Sequence, residues 1–119
     1  MSEKIHKIFS YKNVAVVGMS PKNDRPSNKE SQYLYDNGYN VFAVNPEVEN
    51  IGSGKSYASL RDIPNAIYIV NVLRKKEFVA SITNEAIEID SKVRWLQEGI
   101  EDNDSAALAS SNGMAVVMD

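Results

Sequence analysis

The residues best suited to chemistry in this chain are cations grouped around a tight turn. Gly18-Met19-Ser20-Pro21-Lys22-Asn23-Asp24-Arg25-Pro26-Ser27 leads out of an apolar run, and Lys22, Arg25 and Lys29 bring positive charge to it. Gly18 lets the backbone turn sharply, and free amides at a helix start, helped by the helix dipole, hold a phosphate. Arg25 suits that task best, because a planar guanidinium matches phosphate oxygens in pairs. In the plainer reading this is an ordinary strand-to-helix loop whose Ser27 and Glu30 only cap the helix. The residues alone leave both readings open.

Three further segments end apolar runs with polar residues. Asn45-Pro46 follows the second run, and Pro46 offers either a flat wall to an adenine ring or a simple stop to the strand. Asn71-Val72-Leu73-Arg74-Lys75-Lys76 follows the third. Arg74 adds to a phosphate patch, whereas Lys75 and Lys76 read better as a solvated helix start. Leu96-Gln97-Glu98 follows the fourth, with Gln97 able to donate and accept hydrogen bonds. Glu98 has no histidine, cysteine or second carboxylate at a recognisable spacing, so no catalytic residue is assigned.

The composition removes whole classes of chemistry. No cysteine is present, which excludes disulfides, thiolate nucleophiles and sulfur-ligated zinc. The single histidine, His6, reads as a surface residue, so no metal site is expected. A net charge of −3 creates no field for drawing in nucleic acid or an anionic membrane. Any anionic ligand must therefore find a local basic patch. The first ten residues are charged and lack a long apolar stretch, so neither leader nor anchor is expected and the cytoplasm is the expected location.

The elements that must position these residues follow from the apolar pattern. Short runs at 14–17, 41–44, 67–70, 93–96 and 115–118 alternate with helix-length stretches, as in a parallel sheet with crossover helices. The runs are nearly continuous, as in strands covered on both faces. Lys55-Ser56-Tyr57 supplies a short edge strand. A capped helix is expected over about 28–37, terminated at Gly38. Phe78, Val79, Ile82, Ala86 and Ile89 form the buried stripe of a second helix. Asp102, Asn103 and Asp104 offer caps for a third, which ends at Asn112-Gly113. Ser59 to Pro64 reads as one helical turn. Right-handed crossovers then give a doubly wound α/β sheet in the order 3-2-1-4-5-6, one domain over 1–119. Its crevice opens between the first run and the third, where the chain reverses direction.

Taken together, Val-Ala-Val-Val-Gly-Met-Ser-Pro at 14–21, Arg-Pro-Ser at 25–27, Gly-Tyr-Asn-Val at 38–41, Val-Asn-Pro at 44–46, Tyr57 through Pro64 and Trp-Leu-Gln-Glu-Gly-Ile at 95–100 carry a resemblance. The chain resembles the small bacterial stand-alone CoA-binding proteins, which are similar to the Rossmann-like CoA-binding domain of the succinyl-CoA synthetase alpha subunit. The resemblance implies coenzyme A, or an acyl-CoA, at the carboxyl ends of the strands. It assigns Gly18, Met19, Ser20, Lys22, Arg25, Pro26 and Ser27 to the phosphate side and Asn45 and Pro46 to the nucleotide end. Asn71, Val72, Arg74, Leu96, Gln97 and Glu98 would line the cofactor's path. It implies a binding module, possessing no counterpart of the synthetase's phosphohistidine domain, rather than an enzyme. An NAD(P)-linked oxidoreductase is the alternative, weakened because no glycine follows Gly18 before Gly38 and because Asn45 replaces the ribose-binding acid. A protein-interaction domain that has lost its ligand is a third. Monomer and homodimer are both open.

Overall fold

In the computed structural model the described residues are 11–18, 26–47, 50–51, 54–96 and 100–118, with the backbone alone at 26–30, 50–51 and 54. Strand β1 (Asn13–Val17) is the centre of the molecule. Its partners are β2 (Asn40–Val44) on one side and β5 (Ile69–Val72) on the other, both parallel. Outward from β2 comes β4 (Gly54–Tyr57), and outward from β5 come β6 (Val93–Leu96) and β7 (Ala115–Met118), again all parallel. These six strands have the expected order 3-2-1-4-5-6. A seventh, β3 (Asn50–Ile51), was not foreseen and pairs antiparallel with the outer edge of β4.

Alternation along β1 divides the core in two. Val14 and Val16 pack with Leu34 of helix α1 (Pro26–Asp36) on one face. Ala15 and Val17 face the other way, into the larger cluster with Val79, Ile82 and Ala86 of α2 (Val79–Glu88) and Ala109 of α3 (Asn103–Ser111). Both faces of β1 are thus covered, which is why its sequence is continuously apolar. β7 departs from that expectation, since Ala115, Val117 and Met118 are exposed at the sheet edge.

The helix ends follow local chemistry. α1 begins at Pro26, whose fixed φ suits the first helical position, so Ser27 lies inside the first turn instead of capping it. Gly38 closes α1 at φ +87°, with its N–H donating to Tyr35 O and Tyr39 N–H to Leu34 O. Phe78 is not in the buried stripe of α2. It ends a 3-10 turn (Lys76–Phe78) ahead of the helix and is partly exposed. β5 lies two residues later than the apolar run indicates, because Ile67 packs in the core before the strand and buried Asn71 lies within it. The reversal of chain direction therefore falls between strands that end at Val17 and Val72.

Candidate functional site

The crevice opens where β2 and β5 diverge from the end of β1. Backbone pairing continues one residue past each strand: Gly18 N–H donates to Val44 O at 2.9 Å, and Leu73 N–H to Val17 O at 2.8 Å. Gly18 has φ +93°, and a Cβ there would lie 2.7 Å from both Leu73 O and Arg74 Cδ. Only glycine lets the chain after β5 cross so close to the turn after β1. Arg74 uses that space. Its stem lies against Gly18, and its guanidinium stacks over the Phe78 ring with Cζ 4.1 Å from the centroid.

Beneath Arg74 lies a cavity of about 190 Å³ on the α2 face of the sheet. Val17 and Val44 form its floor and Pro46 its outer wall. Ala58 to Leu60 close one side, while Phe78, Ser81, Ile82 and Glu85 of the α2 segment close the other. The Asn45-Pro46 wall is fixed by three bonds: Asn45 N–H donates to Tyr57 O, Ser56 Oγ donates to Asn45 O, and Asn45 Oδ1 accepts from Glu47 N–H. The opposite wall is the 3-10 turn Leu60–Asp62, in which Ser59 Oγ accepts from Arg61 N–H.

That turn is joined to α2 by two carboxylates. Glu85 Oε1 accepts from Ser59 Oγ at 2.5 Å and from Leu60 N–H at 3.3 Å. Arg61 grips Glu88 with Nε at 2.5 Å and Nη2 at 2.9 Å. This hydrogen-bonded pair holds the Glu88 carboxyl below its ordinary pKa and raises that of Arg61. Ser59 thus has both sides of its hydroxyl engaged, as donor to Glu85 and acceptor from Arg61, in a capping role.

A second polar cluster joins β6 to α2 and to the start of α3. Arg94 has no exposed surface, and donates from Nη1 to Thr83 Oγ1 at 2.7 Å and from Nη2 to Glu101 Oε2 at 2.6 Å. Glu101 Oε1 in turn accepts from Asp102 N–H at the start of α3. Gln97 and Glu98, expected at the crevice rim, follow β6 in the sequence and lie outside the described residues.

Of the residues expected at the site, Gly18, Asn45, Pro46 and Arg74 come together around the cavity mouth. Pro26 and Ser27 contribute the first turn of α1. Asn71, Val72 and Leu96 are buried within their strands. Asn71 shares a row with Val16 and Trp95 on the α1 face, away from the cavity. Met19, Ser20, Lys22, Arg25, Gln97 and Glu98 lie outside the described residues, as does His6. The sequence reading missed Ser59, Phe78, Ser81 and Glu85 as lining residues. Glu85 left a trace, since it falls three residues after Ile82 and directly before Ala86, a carboxylate bordering a buried stripe.

Residues 12–119 match the model of a CoA-binding domain. The chain belongs to the CoA-binding domain family. It is 35% identical over 108 residues to YneT of Bacillus subtilis (strain 168), covering 91% of this chain and 80% of the relative. A solved structure of a Pyrococcus horikoshii OT3 protein superposes with a TM-score of 0.88 at 30% identity, covering all of this chain and 85% of that one. The dinucleotide-forming acetyl-coenzyme A synthetase 1 of Ca. Korarchaeum cryptofilum shares the fold, with TM-score 0.79 and 20% identity. There the match covers 94% of this chain and 26% of the enzyme. Membership in a CoA-binding family points to a small-molecule ligand, and the crevice is where a doubly wound sheet takes one. Among the described residues no helix is long and apolar enough to cross a membrane, and no group of three His, Cys, Asp or Glu is placed to hold a metal ion.

Proposed function

We propose that the chain binds coenzyme A or an acyl-CoA across the carboxyl ends of β1, β2 and β5, without transforming it, as a sensor or regulatory module of the cytoplasm. The observation that carries the reading is the cavity at the ends of β1 and β2, apolar on most sides and lined in part by Arg74. Arg74 has no ion pair or hydrogen bond among the described residues, so its donors are available to an anion. At about 190 Å³ the cavity is smaller than the roughly 300–1,000 Å³ that encloses a drug-sized ligand. It suits one flat ring, with the rest of the ligand lying outside over the strand ends. In this arrangement the base rests against Pro46, and the diphosphate crosses Gly18 to the amides at the start of α1. Arg74, with Lys22 and Arg25, offsets its charge. The absence of catalysis is part of the proposal, supported by the Ser59 hydroxyl and Glu85 Oε1 being engaged in holding the Leu60–Asp62 turn.

Calorimetric titration with coenzyme A, acetyl-CoA, NAD and NADP in parallel tests the proposal. Saturable heat with either CoA species, weakened in Arg25→Ala and Arg74→Ala by on the order of 1.5–3 kcal/mol each for a direct phosphate bond, is the expected result. Tight NADP binding with no response to either CoA species overturns it.

A further inference from the structure

We propose that Glu85 makes the cavity selective for adenine, by accepting a hydrogen bond at Oε2 from the exocyclic amine of the base. The proposal rests on the reading that this cavity receives the base of coenzyme A. Most of its lining, Val17, Val44, Pro46, Leu60, Phe78 and Ile82, reads shape alone, so discrimination between bases falls to the few polar groups. Arg74 is a donor only and lies on Phe78. The Ser59 hydroxyl has given its one proton to Glu85 and already accepts from Arg61 N–H, so it has no donor to offer the base. Ser81, as a hydroxyl, donates or accepts equally well and so distinguishes little.

Glu85 differs from all of these. Its Oε1 takes both hydrogen bonds from the Ser59-Leu60 turn, which fixes the carboxylate against the cavity wall, while Oε2 makes no hydrogen bond among the described residues. A carboxylate oxygen held in this way is a directed acceptor. It matches the amine of adenine and opposes the carbonyl oxygen that hypoxanthine or guanine carries at the same position. Gln at position 85 would keep its carbonyl oxygen on Ser59 and Leu60, where an acceptor is needed, and turn its amide NH₂ toward the base. The preference would then invert without loss of the turn.

The test compares coenzyme A with its deaminated analogue, in which hypoxanthine replaces adenine, on the wild type and on Glu85→Gln. The wild type is expected to bind coenzyme A on the order of ten-fold more tightly than the analogue or better. Glu85→Gln should bring the ratio to about one or below it. Equal binding of both ligands by the wild type overturns the proposal while leaving CoA binding intact, and needs no variant to fold. Retention of the full preference in Glu85→Gln overturns it as well. Failure of the wild type to bind either ligand brings down the proposed function and this inference with it.

Discussion

Arg94 sits in β6 in register with Val70 and Val116, yet its guanidinium is removed from water and relies on Thr83 and Glu101. A buried charge is tolerable only while its partner is present, and taking one partner away from such a pair typically costs about 3–5 kcal/mol. Arg94→Met keeps much of the side-chain volume but leaves the mostly buried Glu101 carboxylate without its cation. Its denaturant midpoint is expected to fall by an amount equivalent to about 3 kcal/mol, with an unchanged m-value. Thr83→Val should be milder, about 1–2 kcal/mol, because it deprives Nη1 of one acceptor. Gly18 is intolerant for a different reason. Gly18→Ala must relieve contacts with Leu73 O and Arg74 Cδ while holding a backbone at φ +93°. A loss of more than about 1 kcal/mol is expected, together with weaker CoA binding as Arg74 is displaced. Chemical denaturation and calorimetry on the same preparation check both effects.

At the scale of elements, the candidate site depends on the Leu60–Asp62 turn staying against α2, and the Arg61–Glu88 pair is one of its two fastenings. Pairing lowers the pKa of Glu88 in the folded chain below its value in the unfolded chain. The stabilisation is therefore fully present above the ordinary carboxylate range and is lost as pH falls through the lowered value. Glu88→Gln should be less stable than the wild type at neutral pH and match it in acid. Salt should shrink the difference, since both side chains are about half exposed. Much of this layer could be read from the sequence: five apolar runs, the terminators Gly38 and Gly113, the helical turn within Ser59 to Pro64 and the order of the six parallel strands. Other features could not be read from it. The slip of β5 arises because Ile67 and Tyr68 are as apolar as a strand, while polar Asn71 gains a buried place only through tertiary partners. Arg94 as a core residue, and the meeting of Ser59 with Glu85, depend on contacts between elements far apart in the chain, which local periodicity does not encode. β3 left only the Gly52-Ser53 dipeptide as a hairpin signal.

For the whole molecule, the site and the core use different charges, and that separation can be measured. Arg74 is partly exposed at the crevice, whereas Arg94 is sealed between β6, α2 and the start of α3. A ligand that binds only the folded chain stabilises it by mass action, about 2.7 kcal/mol when its free concentration is 100 times Kd. For a domain of this size that increment corresponds to roughly 10 °C in melting temperature. Wild type with excess coenzyme A should show it. Arg94→Met should melt well below the wild type yet gain about the same free-energy increment from the ligand, because its deficit lies away from the cavity. Arg74→Ala should melt near the unliganded wild type and lose most of the increment at the same ligand concentration. Thermal melts of the three proteins with and without coenzyme A give the comparison directly. Increments that fall in step with unliganded stability in both variants would mean that the crevice cannot be perturbed independently of the core. The assignment of Arg74 to ligand rather than to packing would then fail.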